Sequence, residues 1–401
     1  MEDLELLKGV SSNTAERKNR YFSREKIVKN ILFELDNDEN LLISAPRRIG
    51  KSTILKYIKN NYTRNQIIKY IAVESVDSQE EFFKRLFNEL ISDKEIFEGI
   101  SGYLTRATSS VKEYIVKISG FSISGNIKID HNESINYYEE FIKLIESFKT
   151  DKKIILFIDE FPDALNNILK KDEDKAINFL QQNRDVRQKF SDSNLQFVYT
   201  GSTGLSNVVR KTDKLNLIND LTNIEVPPLS PDESRLLIQR LVLGYKQHNK
   251  SFDIDNETIS YILDVIKWRI PYYMQIITKE LCSYYDEVEQ KITNNSVDYV
   301  LKQIVKSNSN HSDYFENWKR RLKIAFKDND YDFAIEVLNY IAKNDTLEDS
   351  VFCDFAVKYK INDYRYILNV LKHDGYISED EKTYGFNSIL LKQWWYINVA
   401  T

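Results

Sequence analysis

Two hydrophobic rhythms alternate along the first half of the chain. Short continuous apolar runs, Leu41-Leu42-Ile43 and residues 154–158, have the length of buried strands; residues 195–204 read as another buried strand, and 66–73 and 222–229 as strands. Between them lie stretches whose apolar residues recur three and four apart. Residues 25–35 put Ile27, Val28, Ile31, Leu32 and Leu35 on one face, and residues 78–91 do the same with Phe82, Phe83, Leu86, Phe87 and Leu90. Residues 136–148 and 174–190 follow this period too. Buried strands alternating with helices predict an α/β unit built on a parallel sheet. Residues 103–129 are less regular, and the alternation F-S-I-S-G-N-I-K-I-D that closes them predicts a hairpin or edge ribbon, either a partner surface or a plain decoration.

The rhythm changes at Ser230-Pro231-Asp232-Glu233, a helix start made of a capping serine, a proline in the first turn and two acids. From there to about Asp328 the pattern is helical throughout, at residues 233–243, 256–265, 271–288, 296–305 and 313–326. The last segment, residues 331–401, has helical pieces at 333–342, 347–357 and 364–373. A strand–turn–strand at 376–378 and 383–386 follows, then a helix capped by Ser388 that carries Trp394 and Trp395 as core residues.

Residues 41–57, L-L-I-S-A-P-R-R-I-G-K-S-T-I-L-K-Y, give this layout a chemistry. A buried strand, a tight loop and a helix start surround Pro46, Arg47, Arg48, Ile49, Gly50, Lys51, Ser52 and Thr53, the context in which G-x-x-x-x-G-K-[ST] cradles phosphate. Backbone N–H groups curl around a β-phosphate, which calls for almost no side chain at Gly50. Lys51 supplies charge to the β- and γ-phosphates, Ser52 offers its hydroxyl to Mg²⁺, and the helix N-terminus adds its dipole. Ala45 replaces the first glycine of the pattern, a change tolerated where that position keeps φ negative.

Two further strand ends agree with a triphosphate site. The run K-K-I-I-L-F-I-D-E-F-P-D ends in Asp159, placed to hold the Mg²⁺ shell, and Glu160, placed to orient and activate a water on the γ-phosphate. The run L-Q-F-V-Y-T-G-S-T-G ends in Thr200 and Ser202, which serve either as polar sensors of the γ-phosphate or as turn residues capping the next helix. Between these strands a helix carries Arg184 and Arg187, which are either solvated surface charges or arginines presented to a neighbouring subunit's phosphoryl group; Arg210 competes for that second role.

The motifs A-P-R-R-I-G-K-S-T-I-L, F-I-D-E-F-P and Y-T-G-S-T-G-L, in this order, resemble the prokaryotic archaeal-ATPase-type P-loop ATPases of the AAA+/STAND branch. Y-F-S-R-E resembles that family's entry box, which implies that Phe22, Arg24 and Glu25 cradle adenine. R-I-P-Y-Y-M-Q resembles its G-x-P-Y-Y-x-Q, implying that Pro271 lies over the nucleotide, although Arg269 stands where glycine is usual. Y-G-F-N-S-I-L-L-K-Q-W-W looks like the close of its winged-helix domain. The resemblance implies an ASCE-type sheet of order 5-1-4-3-2. It also implies a lead-in at residues 1–20, a P-loop ATPase domain at 21–229, a helical lid at 230–328 and a winged helix at 329–401. ATP and Mg²⁺ are the cofactors it implies, and slow hydrolysis to ADP and phosphate the activity.

Bulk properties narrow the partners. With 401 residues the chain can bury a large core, and a formal net charge of -5 gives no global grip on nucleic acid. The last segment, where a winged helix would read DNA, has seven Lys/Arg against eleven Asp/Glu over residues 331–401. The nearest basic cluster is Lys319-Arg320-Arg321 with Lys323, either an interaction surface or a solvated helix face. A switch or assembly acting on a protein partner, or on further copies of the chain, is therefore favoured over an ATP-controlled DNA binder. No apolar run approaches a membrane span, the start lacks the order of a signal peptide, and Cys282 and Cys353 read as reduced core residues, so a cytoplasmic protein is expected.

Overall fold

Five parallel strands organise the first half of the protein, which is seen here as a computed structural model described at residue 22 and over residues 24–62, 65–122, 134–148, 150–191 and 194–400. The chain divides into two units, one of residues 24–44 with 54–225, the other of residues 45–53 with those after 225 and Phe22.

The sheet unit runs α1 (Glu25–Asp36), β1 (Leu41–Ser44), α2 (Lys51–Asn61, begun in the intervening loop), β2 (Gln66–Ala72), α3 (Gln79–Ile91), α4 (Lys94–Gly99), α5 (Ser101–Arg106), α6 (Ser109–Ser119) and α7 (Tyr137–Ser147). It continues with β3 (Lys153–Asp159), α8 (Phe161–Lys171), α9 (Glu173–Lys189), β4 (Leu195–Gly201), α10 (Leu205–Arg210) and β5 (Thr222–Glu225). The strand order β2-β3-β4-β1-β5 is the expected 5-1-4-3-2 read from the other edge, and every pairing is parallel. β4 is buried along its whole length and β3 along all but its first residue, which is why they read as unbroken apolar runs. Helix starts follow side-chain chemistry: Ser78, Asp93, Thr108, Asn136 and Asp172 each accept a backbone N–H at the head of α3, α4, α6, α7 and α9. An aromatic cluster of Phe82, Phe161, Phe179 and Tyr199 packs α3, α8 and α9 against β4.

Several expectations need correction here. The less regular stretch from Tyr103 is helical through α5 and α6, capped by Thr108 and ended by Gly120 in the left-handed region. The proposed ribbon falls largely on residues 123–133, outside the described residues. The fifth strand stops at Glu225, because Pro227 and Pro228 cannot donate to a ladder. α8 follows directly on the acid pair, with Phe161, Ala164, Leu165 and Ile168 on its buried face, and adds a helix before the one expected at residues 174–190.

The second unit holds α11 (Pro231–Lys246), α12 (Asn256–Ile266), α13 (Pro271–Val288), α14 (Asn294–Ile304), α15 (Ser312–Ala325) and α16 (Asp328–Asn344). Then come β6 (Thr346–Glu348), α17 (Asp349–Tyr359), α18 (Tyr364–His373), β7 (Ile377–Asp380), β8 (Thr383–Phe386) and α19 (Ile389–Asn398). Ser230 and Glu233 form the capping box that the sequence announced. β6, β8 and β7 make a three-stranded antiparallel sheet in that order. β6 is too short to show a period, and only its pairing with β8 makes it a strand. Trp394 and Trp395 are fully buried, Trp395 donating to Asn339 at 2.9 Å and Trp394 stacked on Phe315. Among the described residues no helix is long and apolar enough to cross a membrane.

Candidate functional site

The phosphate loop leaves β1 and enters α2 through two residues of positive φ. Gly50 has φ +103°, a conformation that side chains strain, while a Cβ built there would meet nothing within 4 Å. Backbone conformation, and not crowding within the chain, therefore demands glycine. Arg48 takes φ +68° without being glycine, the kind of local strain that collects at ligand-binding turns. Ala45 is buried and is not among the residues of positive φ, so alanine is tolerated as the sequence suggested. Lys51 is buried, and its Nζ donates to the carbonyls of Ala45 at 2.5 Å and Pro46 at 3.1 Å. In this arrangement the lysine curls back over its own loop.

Within the sheet unit, the ends of β3 and β4 bring four expected residues into two pairs. Thr200 is fully buried and donates its hydroxyl to Asp159 Oδ1, and Tyr70 on β2 donates to Oδ2. Ser202 donates to Glu160 Oε2 twice, from its backbone N at 2.9 Å and its hydroxyl at 3.1 Å. Glu160 itself sits in the left-handed region, φ 60° and ψ 40°, as the N-cap residue of α8. Gly201 permits this approach: a Cβ there would lie 2.5 Å from Pro162 Cγ and Cδ. Thr200 and Ser202 thus each hold one of the two acids. Tyr70 was missed because a lone tyrosine in an apolar strand looks like packing.

Arg187 turns inward, away from the surface where a neighbouring subunit would meet it. It is buried in α9, donates to Asp220 through Nε at 2.7 Å and Nη2 at 2.9 Å, donates to the Leu217 carbonyl, and lies 5.5 Å over the Tyr199 ring. Burial alone would raise the Asp220 carboxyl, but the hydrogen bonds and charge of Arg187 hold it below the usual range. Arg184 is half-buried on the same helix, and Arg210 is exposed at the end of α10.

The remaining expected residues lie as follows. Arg24 is buried just before α1, and Glu25 is exposed in its first turn, 3.9 Å from Lys29. In the second unit Phe22 lies 5.6 Å beneath the Arg240 guanidinium. Pro271 is the first residue of α13, where a missing N–H costs nothing. Arg269 does not have positive φ, so the position usual for glycine needs none; Lys267, two residues earlier, takes φ 54° instead.

The donor set around Asp159 suits a hard cation. Carboxylate and hydroxyl oxygens are what Mg²⁺ takes, and it needs only one or two protein ligands when phosphates supply others. Among the described residues no three His, Cys, Asp or Glu side chains gather into a metal cage, which Mg²⁺ of this kind does not require.

The Walker-type ATPase Paby2304 of Pyrococcus abyssi matches 94% of this chain over 97% of its own length, at 20% identity and a TM-score of 0.59. The fold is that of a Walker-type P-loop ATPase. Looser matches include the Aeropyrum pernix ORC2 protein, with 9% identity, 92% of this chain, 91% of that chain and a TM-score of 0.49. Another is the Thermotoga maritima RuvB Holliday junction branch migration motor, with 11% identity, 94% of this chain, 96% of that chain and a TM-score of 0.41; nothing below rests on these two. No protein-family model matches the sequence, and no curated protein is significantly similar to it.

Proposed function

We propose that the protein is a slow, Mg²⁺-dependent ATPase whose nucleotide state switches an interaction with a protein partner or with further copies of itself. One observation carries this reading: at the carboxyl edge of the sheet, β1 pairs with β4 so that Ile43 lies opposite Thr200 and Ser44 opposite Gly201. The strand that leads into the phosphate loop therefore ends level with the residues that hold Asp159 and Glu160, at the edge where ligands of open α/β sheets bind. Lys51 and the loop amides bind the phosphates, and Ser52 and Asp159 hold Mg²⁺, which would neutralise charge on them. Glu160, oriented by Ser202, accepts the proton of the attacking water. Phe22, Arg24, Glu25 and Pro271 shape the adenine end, a role that rests on the family resemblance. Arg184 and Arg210 are the remaining candidates for an arginine given to a neighbouring subunit.

Nucleotide binding and turnover, measured separately, test the assignment. Lys51→Ala abolishes ATP binding, whereas Glu160→Gln binds ATP and loses hydrolysis by about a hundredfold or more, in line with the usual weight of a positioned acid or base. Undiminished turnover in Glu160→Gln removes that residue from its role.

We divide the second unit into a helical lid, residues 230–328, and a winged-helix module, residues 329–401. The order helix–strand–helix–helix–strand–strand–helix from α16 to α19, with its three-stranded antiparallel sheet, supports the second boundary. Its acidic balance, seven Lys/Arg against eleven Asp/Glu over residues 331–401, favours a protein partner over duplex DNA. ATPase rate unchanged by duplex DNA, with a mass that differs between ATP and ADP, is the expected result for a cytoplasmic switch of this type.

A further inference from the structure

The second unit contains a cavity of about 650 Å³, within the size range of small-ligand sites. Four arginines line it: Arg47 and Arg48 from the phosphate loop, Arg320 and Arg321 from α15. Two carboxylates, Asp313 and Glu316, oppose them, so the lining is cationic in a chain whose formal net charge is -5. Lys51 and Ser52 are not part of this lining.

Arg48 shows what the cavity lacks. Its guanidinium lies 5.4 Å over the Tyr272 ring, and Tyr272 packs on Tyr314 with ring centres 4.3 Å apart. The groups whose charge acts on Arg48 are Tyr272, Tyr314 and Arg47, with no carboxylate among them. Burial, aided by the charge of Arg47, pulls its pKa below the usual arginine value. A half-buried guanidinium, held in place by a left-handed backbone and an aromatic face yet given no counter-ion among the described residues, is poised to take an anionic ligand. Tyr272, Tyr314 and Trp318 add an aromatic wall beside the arginines, a surface that suits a planar ring as well as the guanidinium.

We propose that this cavity binds a phosphate-bearing ligand with a planar ring, of nucleoside-monophosphate size, at a site separate from the nucleotide held by Lys51. Arginine forks from the loop and from α15 take the phosphate, and the aromatic wall takes the ring. The binding claim does not depend on the chain hydrolysing ATP.

Calorimetric titration of the full chain with AMP, and with inorganic pyrophosphate as the ring-free control, tests it. AMP lacks the β-phosphate around which the loop amides curl. AMP is expected to bind the Lys51→Ala variant within about twofold of the parent, and to bind more tightly than pyrophosphate because of the ring. Arg320→Glu combined with Arg321→Glu is expected to weaken AMP by about tenfold or more, since each removes a charge-assisted hydrogen bond. The single Arg320→Ala, at an exposed position of α15, serves as the milder variant should the double one fail to fold, and is expected to weaken AMP severalfold. The proposal is overturned if AMP binding disappears in Lys51→Ala or persists unchanged in the α15 variants. It is equally overturned if neither probe binds saturably, or if duplex DNA binds where both probes do not.

Discussion

Two arginines in this protein lie over tyrosine rings at nearly the same height, Arg187 over Tyr199 at 5.5 Å and Arg48 over Tyr272 at 5.4 Å, and their polar surroundings differ. Arg187 has a two-point carboxylate partner in Asp220 and a backbone carbonyl besides; Arg48 has the ring and, among the described residues, no carboxylate. The first arrangement is complete within the chain and ties α9 to the segment before β5. The second is open, in a cavity wall and on a strained loop. A buried charge that the fold has satisfied is structural, and one that the fold has positioned but not satisfied is available to a ligand.

The largest way to break this contrast is Arg187→Ala. Removing the buried member of this hydrogen-bonded ion pair takes from half-buried Asp220 its two-point partner, and a stability loss of about 3 kcal/mol is expected in urea denaturation. The same pair gives an acid signature. Because the Asp220 carboxyl is held below its ordinary value of 3.8, its stabilisation is fully present above that pH and is lost as pH falls through the lower folded value. Asp220→Asn therefore flattens stability against pH in that acid window, which unfolding curves taken from pH 5 downward will show. Tyr199→Phe comes next, at about 1 kcal/mol, since the hydroxyl meets Asn183 at 3.3 Å and Arg187 at 3.4 Å, both long contacts. Arg48→Ala is the smallest, within about 1 kcal/mol, because only a ring contact is lost and no buried carboxylate is stranded. Equal losses at Arg187 and Arg48 would erase the distinction.

A related test concerns the metal side of the site. Tyr70→Phe removes one of the two hydroxyls on Asp159 and is expected to raise the Mg²⁺ needed for half-maximal ATPase activity by about tenfold, the scale of a lost partner to a metal ligand. An unchanged Mg²⁺ requirement would mean that Tyr70 only packs.

Much of this was legible before any coordinates. The strand–loop–helix around Lys51, the acids after a five-residue apolar run and the capping box at Ser230 are local patterns, and each appears as expected. Pieces that are short or that begin on an unusual backbone were not legible: β6 is a strand only through β8, and α8, although periodic, starts on a glutamate in the left-handed region. Arg187 illustrates the limit of residue type. Its spacing from Arg184 suggests a shared face, but Asp220, 33 residues away, decides which of the two turns inward.

The sequence by itself determined the phosphate loop, the acid pair and the five strands of the parallel sheet, because a motif's residue types and a segment's hydrophobic period act over a few neighbours. Tertiary structure alone decided that Thr200 serves Asp159 across 41 residues, that Tyr70 reaches the same carboxylate across 89, and that Ser202 holds Glu160. Those partnerships follow from the register of parallel strands, and register is fixed by the packing of whole faces against the core, which no short window of residues contains.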